Sequence, residues 1–150
     1  MEILVVTGVL SAALGFALIV SMETYHGSNF RTERNTLITL LQRARSQSMA
    51  NFCVGACIDG KSHGVAIRPA DNPDSYVLFQ GPNYANRDRE ADAVFEASSS
   101  VSAKGFSEVV FAQLSAISGT VDGSDLVLFD SVGHVSTTTV GSEGQISWTN

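Results

Sequence analysis

Residues 2–22 of the chain read EILVVTGVLSAALGFALIVSM, in which Glu2 is followed by twenty uncharged residues before the next charge at Glu23. At a rise of about 1.5 Å per residue, a helix of this length spans roughly 30 Å, the hydrocarbon thickness of a bilayer. The stretch therefore predicts a helix that is apolar on all sides and is suited to a membrane or to a bundle of apolar helices.

The only charge at the start of this stretch is negative. A secretory signal peptide begins with basic residues and ends at a small-residue cleavage site, so an ordinary signal peptide is not expected here. A carboxylate in apolar surroundings costs several kcal/mol unless it is paired, and a plain membrane anchor provides no partner. We therefore expect Glu2 to pair with a basic group.

Beyond residue 29 the chain becomes amphipathic. Apolar residues recur at a spacing of three and four, at Phe30, Leu37, Leu40, Leu41 and Ala44. This spacing predicts a helix with one apolar stripe that continues to about Asn51 and packs on a sheet. We therefore expect one long helix, with residues 1–23 as its transmembrane or filament-core part and residues 24–51 as its amphipathic continuation.

Residues 52–150 are expected to form a β-rich, extracytoplasmic globular domain. Short β-prone runs alternate there with turn signals, at residues 64–67, 75–79, 93–97, 108–112, 126–129, 135–140 and 145–148. The first two runs are separated by a loop with two prolines and are expected to form a hairpin. Strands at this spacing behind a long helix predict an α+β fold, with the helix packed on an antiparallel sheet.

Charge and residue spacing argue against several functions. The chain has a net charge of −6, and all nine basic residues lie between Arg31 and Lys104, which makes the carboxyl-terminal half a poor nucleic-acid surface. The histidines at 26, 63 and 134 have no metal-ligand spacing, and no catalytic arrangement is recognisable. We expect no metal, no cofactor, no small-molecule substrate and no enzymatic activity.

The segment Glu2-Ile3-Leu4-Val5-Val6, with small residues at Gly8, Ala12, Ala13 and Gly15, resembles the amino-terminal region of type IV pilins and pseudopilins. The carboxyl-terminal strand layout, and LLQRARSQ at residues 40–47, resemble the pseudopilin subgroup with a sheet of two packed layers. The resemblance implies a pilin-like fold. It also implies a structural subunit of a type IV pilus or pseudopilus-like filament, made from copies of this chain or with other pilins.

In that family the glutamate matched by Glu2 neutralises the amino terminus of a neighbouring subunit, and small residues such as Gly8 and Gly15 allow helices to approach closely. The resemblance implies three assembly partners: a prepilin peptidase, a platform protein and an assembly ATPase. It places the subunit in the bacterial inner membrane as a single-pass precursor, and then in an extracellular filament. Since only one residue precedes Glu2 where the family usually has four, we expect that the sequence lacks its true beginning; the alternative is an unusual start.

A second function stays open at this point. The first helix could hold a monomeric extracellular binding module at the membrane as a single-pass tether. This alternative leaves Glu2 without a partner, whereas a filament provides one.

The two cysteines, Cys53 and Cys57, are a candidate disulfide because an oxidising compartment is expected. On a straight strand they would lie roughly 13 Å apart, beyond bonding distance, so a bond requires a turn, which Gly55 permits. Two buried free thiols are the alternative.

Four arginines are candidate subunit contacts. Arg31 and Arg34 are expected to bind lipid phosphates or the acidic surface of the next subunit. Arg87 and Arg89 lie in a polar loop at residues 81–90, which is either a contact with a neighbour's carboxylates or a solvated loop. Trp148 is expected to be a buried strand residue, or otherwise a contact between subunits.

Overall fold

The computed structural model describes the backbone of residues 2–55, 60–121 and 123–149, and within these ranges it describes all side chains except those of residues 2, 4, 17–24, 26 and 121. A helix, α1 (Glu2–Met49), comes first. The strands that follow are β1 (His63–Ile67), β2 (Ser75–Gln80), β3 (Ala93–Glu96), β4 (Val101–Gly105), β5 (Glu108–Phe111), β6 (Ser118–Val121), β7 (Asp125–Asp130), β8 (Val135–Val140) and β9 (Ile146–Thr149). A 3-10 turn, Arg89–Ala91, precedes β3.

The strands form two antiparallel sheets. Sheet A has the order β3-β2-β1-β5-β6, and sheet B has the order β4-β7-β8-β9. The predicted hairpin is confirmed as β1 and β2, in which His63 pairs with Gln80 and Ile67 pairs with Tyr76. Strands β4 and β6 were not predicted, because VSAKG and SGTV are short and contain few apolar residues.

The apolar stripe of α1 packs into a core shared by both sheets. The predicted stripe is confirmed, since Phe30, Leu37, Leu40, Leu41 and Ala44 are all buried. The same cluster contains residues of both sheets, at Val65, Ile67, Tyr76, Leu78, Leu126 and Leu128. The helix contacts β1, β2 and β5 of sheet A as well as β7 and β9 of sheet B. One helix face therefore holds the two sheets together.

The opposite face of sheet A is covered by the loop at residues 81–92. Ala66, Val77 and Phe79 form a second buried cluster there, and Tyr84 of the loop packs on it. The Phe79 and Tyr84 rings meet edge to face, with centroids 5.6 Å apart. Strands β1 and β2 are consequently buried along their whole length, on both faces.

Two polar residues, Glu33 and Ser48, lie on the buried stripe near its two ends. The Ser48 hydroxyl donates to the carbonyl oxygen of Phe111 at 2.9 Å and accepts from the backbone N–H of His63 at 2.8 Å. These bonds tie the end of α1 to β5 and β1. Buried polar groups are tolerated only when they are hydrogen-bonded, so each such residue also specifies where the helix sits on the sheet.

The Glu33 carboxylate, near the other end of the stripe, accepts hydrogen bonds from the Tyr76 hydroxyl at 2.7 Å and the backbone N–H of Ser98 at 3.0 Å. Arg68 lies 3.5 Å from the same carboxylate and also donates to the carbonyl of Val101, the first residue of β4. Burial, and then the charge of Glu33, raise the pKa of Tyr76, so this hydroxyl stays protonated. The network joins α1, sheet A and the start of sheet B.

The predicted fold class, a long N-terminal helix packed on an antiparallel sheet, needs correction. Two sheets are present instead of one, and no long apolar helix is found among the described residues. Most described side chains of α1 lie in two stretches, residues 5–16 and 27–49, and only the second packs on the sheets. The physical reason is that the two sheets bury their apolar groups against the amphipathic stretch, which leaves residues 5–16 uncovered.

The predicted location is corrected as well. In the part of the chain that the structure describes, no helix combines the length and the apolar character needed to cross a bilayer. The prediction of a single-pass membrane precursor, made from residues 1–23, is therefore withdrawn.

We expect Tyr76→Phe to lower the free energy of unfolding by about 1.5–3 kcal/mol, because the buried Glu33 carboxylate loses a charge-assisted hydrogen bond. Urea denaturation measures the change. Tyr84→Phe is the matched control: it removes a hydroxyl bonded to the exposed Asp71, and it is expected to cost less than about 1 kcal/mol. Equal losses in the two variants would contradict an anchoring role for the Glu33 network.

His63 makes stability depend on pH. Its side chain is buried, and burial lowers its pKa below 6.5, although a hydrogen bond with the Lys61 carbonyl opposes the shift. The unfolded chain therefore takes up this proton more readily than the folded chain. We expect the free energy of unfolding to fall as the pH drops below about 6.5, and His63→Gln to weaken that dependence. Urea titrations at about pH 7.5 and pH 5.5 test this, with His134→Gln as the control that retains the dependence.

Candidate functional site

The first part of α1 presents a large exposed apolar surface, here called the apolar helix surface and defined as residues 3–16. The large aliphatic and aromatic side chains that the structure describes there are each more than half exposed, at Ile3, Val5, Val6, Val9, Leu10, Leu14 and Phe16. A monomeric soluble protein rarely exposes a contiguous apolar patch of this kind, which marks an interaction site. The surface is therefore the first candidate site.

The apolar helix surface has two different sides. By helical periodicity, the large side chains that the structure describes span about half of the circumference, while Gly8, Ala12 and Gly15 lie on the other half, on the side of residue 4. A Cβ atom added at Gly8 or Gly15 would meet no heavy atom within 4 Å, so space beside both glycines is open. The helix thus carries small residues on one side, at which another helix can approach closely.

The polar groups in this stretch are satisfied within the helix. The Thr7 hydroxyl donates to the carbonyl of Ile3 at 2.9 Å, and the Ser11 hydroxyl donates to the carbonyl of Thr7 at 2.8 Å. Neither hydroxyl therefore needs water or a partner protein, and both can enter apolar surroundings at low cost. The Glu2 side chain lies outside the described residues, so its pairing with a neighbour's amino terminus stays a prediction.

A second feature lies where α1 meets sheet B. A cleft of about 530 Å³, here called the basic cleft, is lined by Gly27, Phe30, Arg31, Arg34, His134 and Val135. The His134 ring stacks on Phe30 with centroids 5.6 Å apart and planes inclined by 28°. The structure thereby brings the two predicted contact residues, Arg31 and Arg34, together with a histidine that is a hundred residues away in sequence.

The β7–β8 turn holds His134 in place. One oxygen of the Asp130 carboxylate accepts backbone N–H groups of Val132, Gly133 and His134 at 2.9–3.0 Å, and the other accepts from His134 Nδ1 at 2.7 Å. Burial by itself would raise the pKa of Asp130, but the bonds from the His134 ring and backbone outweigh burial and lower the pKa to about 2. Both oxygens of the Asp130 carboxylate thus accept hydrogen bonds within the β7–β8 turn.

The basic cleft thus combines two arginines with the ionised Asp130 carboxylate bound to His134, in a chain whose net charge is −6. Arg31 is exposed, and Arg34 directs one guanidinium nitrogen to Asn35 at 3.3 Å. Asp130 lies behind His134 with its oxygens occupied by the turn. Arg31 therefore presents its guanidinium group to solvent at the cleft. Sequence reasoning missed Asp130 and His134, although an aspartate three residues before Gly133 is a turn signature.

The structure places Arg87 inside its own chain. Its side chain is 6% exposed, lies 3.6 Å from the centre of the Tyr84 ring, and donates to Asp92 at 2.7 Å and to Asp71 at 3.2 Å. The prediction that Arg87 contacts a neighbour's carboxylates is therefore corrected. Its carboxylate partners, Asp71 and Asp92, belong to its own chain. Arg89 is exposed and stays a prediction.

Two further predicted residues have mixed outcomes. Cys53 is disulfide-bonded, while Cys57 lies outside the described residues.

The expectation that Trp148 is buried is wrong, because its side chain is 47% exposed on the edge strand β9. It pairs with Thr138 of β8 in sheet B. An edge strand has a neighbour on one side only, which leaves its large ring partly uncovered.

The described part of the chain contains no group of three or more histidine, cysteine or carboxylate side chains placed to hold a metal ion. Searches of protein-family models, of curated proteins and of solved structures found no match to the chain. The apolar helix surface and the basic cleft are therefore the two features that bear on the function of the chain.

We expect Asp130→Asn to lower the free energy of unfolding by about 1–3 kcal/mol, because a neutral amide is a weaker acceptor for the turn and cannot accept from His134 in the same way. Urea denaturation gives the value. Asp125→Asn makes the same chemical change at an exposed carboxylate of the same strand, and it is expected to stay within about 0.5 kcal/mol of the unaltered chain. Equal free energies of unfolding for the two variants would show that Asp130 does not stabilise the β7–β8 turn.

Proposed function

We propose that the chain is a structural subunit of a type IV pilus-like or pseudopilus-like filament and that it polymerises through the apolar helix surface. The observation that carries the proposal is the exposure of large apolar side chains around residues 3–16, which the sheets leave uncovered. The role is structural, and no reaction is assigned to the chain's own residues.

The energetics favour several neighbours over one. Fully burying one Val, Leu, Ile or Phe side chain stabilises an assembly by about 1.5–3 kcal/mol. A single partner on one side of the helix would leave the remaining side chains in water. Several surrounding helices bury them all, which is the arrangement of a bundle at the centre of a filament.

The two sides of the surface favour an open assembly. In such a bundle, large side chains of one helix pack against the side of the next that carries Gly8, Ala12 and Gly15, where small residues allow close approach. Such a contact joins two different surfaces, so each added copy leaves a free surface of each kind. Repetition then produces a filament, with the sheets as its outer wall. In this proposal the Glu2 carboxylate pairs with the amino terminus of a neighbour within the bundle.

Val9→Asp tests the proposal, because it puts a charge on the apolar helix surface at a side chain that is exposed in the single chain. We expect the unaltered full chain to form thin fibres, visible by negative-stain electron microscopy and recovered by sedimentation. The variant is expected to stay monomeric, with its free energy of unfolding unchanged within about 0.5 kcal/mol. Glu2→Ala, which removes the proposed partner of the amino terminus, is expected to lose the fibres too.

Gln42→Asp is the matched control, since it adds the same charge at an exposed position of the same helix outside the apolar helix surface. It is expected to form fibres like the unaltered chain. A chain that stays monomeric at high concentration would refute the filament role. Fibres of normal yield from Val9→Asp would show that residues 3–16 are not the polymerising surface.

A further inference from the structure

Sheet A has an open edge at β3, which is the outermost strand of the sheet and pairs with β2. The backbone N–H of Ala97, just after β3, donates to the carbonyl of Asp74 at 2.8 Å and so continues this pairing. Alternate residues of an antiparallel strand bond to the neighbouring strand. Phe95 therefore bonds to β2, whereas the N–H and C=O groups of Val94 and Glu96 point to the open edge. Such groups are a template for a further strand.

A groove of about 440 Å³, here called the edge groove, lies between α1 and this edge. It is lined by α1 side chains from Thr32 to Arg43 and by Phe95 of β3. From Thr32 to Arg43 the helix rises roughly 16 Å, the length of about five residues of an extended strand. Phe95 pairs with Tyr76, which bonds to Glu33, so Phe95 lies on the face of sheet A that carries α1. A strand added beside β3 would direct every second side chain into the edge groove.

The edge groove is apolar inside and basic at one end. The Thr32 and Thr39 hydroxyls donate to carbonyl groups of their own helix, at 2.9 and 2.8 Å, and therefore leave their methyl groups for a partner. Leu40 is buried and Phe95 is half-buried beside them. Arg43 is exposed and belongs to none of the ion pairs found among the described residues. The groove thus suits aliphatic side chains followed by a carboxylate.

We propose that the open edge of sheet A binds an extended strand of a partner protein, which pairs with β3 and places aliphatic side chains in the edge groove. Addition of a strand to a sheet edge takes its affinity from backbone hydrogen bonds and its specificity from the pockets for alternate side chains. This site goes beyond the filament role, since it shares no residue with the apolar helix surface.

Charge complementarity gives the partner strand a direction. Tyr76, near the start of β2, bonds to Glu33. The end of β2 pairs with the start of β1, whose His63 bonds to Ser48. Strand β2 therefore runs in the same direction as α1, and β3 runs the opposite way. A strand antiparallel to β3 then runs towards Arg43, so its carboxyl end is where a carboxylate meets the guanidinium group.

A synthetic peptide, acetyl-Thr-Val-Thr-Val-Thr-Glu-amide with a fluorophore, tests the site on the full chain. Fluorescence anisotropy measures its binding below the concentration at which fibres form. In the proposed pairing the threonine N–H groups face β3 and the valine N–H groups face solvent. We therefore expect N-methylation of the threonines to weaken binding roughly tenfold, and N-methylation of the valines to leave it unchanged. Hydrogen exchange of the Val94 and Glu96 amides is expected to slow when the unmodified peptide binds.

Variants of the chain test the same contacts from the other side. Val94→Pro removes an N–H group at the open edge, where proline is tolerated, and is expected to weaken binding roughly tenfold, whereas Val94→Ala keeps that group and the affinity. Thr39→Trp fills the edge groove and is expected to prevent binding. Arg43→Gln is expected to weaken binding roughly two- to fivefold, with Lys104→Gln as the unchanged control at an exposed base outside the groove.

Three results would overturn the proposal: no saturable binding of the peptide below about 1 mM, equal affinities of the two N-methylated peptides, or unchanged hydrogen exchange at Val94 and Glu96. The exchange measurement uses the unaltered chain, so it decides the matter even if Val94→Pro unfolds. If Thr39→Trp stops the chain's own fibres while Lys104→Gln does not, a second copy occupies the edge groove and the partner strand is refuted.

Discussion

The packing of one helical stripe, between Phe30 and Ser48, is the interaction on which the rest of the structure depends. Its apolar residues form a core with both sheets, so neither sheet has a complete core without it. Glu33 and Ser48 add hydrogen bonds near the two ends of the stripe. Apolar contacts alone tolerate sliding, whereas buried polar groups must meet their particular partners. The helix is thereby held at one position on the sheets.

This packing divides α1 into parts with different consequences. Where the stripe is covered, the helix stabilises a single chain; where the sheets end, the same helix leaves residues 3–16 without cover. The basic cleft forms at the boundary, because the β7–β8 turn reaches the helix at Phe30 and places His134 beside the two arginines. The apolar helix surface and the basic cleft therefore exist because the sheets cover only one part of α1.

Local patterns predicted much of this fold. The stripe on α1 and the hairpin of β1 and β2 follow from spacing and turn residues, and both are present. Strands β4 and β6 were not found, because short strands with few apolar residues lack a period-two signal and are stabilised by their neighbours. The division into two sheets overturned the single-sheet prediction, since which strands pair depends on contacts between distant parts of the chain.

The sequence by itself determined which surfaces are apolar: the narrow stripe beyond residue 29 and the broader surface at residues 3–16, because helical periodicity is a local property of the chain. Only the tertiary structure decided which charged groups lie next to one another. Arg87 turned inward to Asp71 and Asp92, while Arg31 and Arg34 gained His134 as a neighbour. An ion pair needs two groups within about 4 Å, and that distance is set by how sheets and turns pack, which no single stretch of sequence encodes.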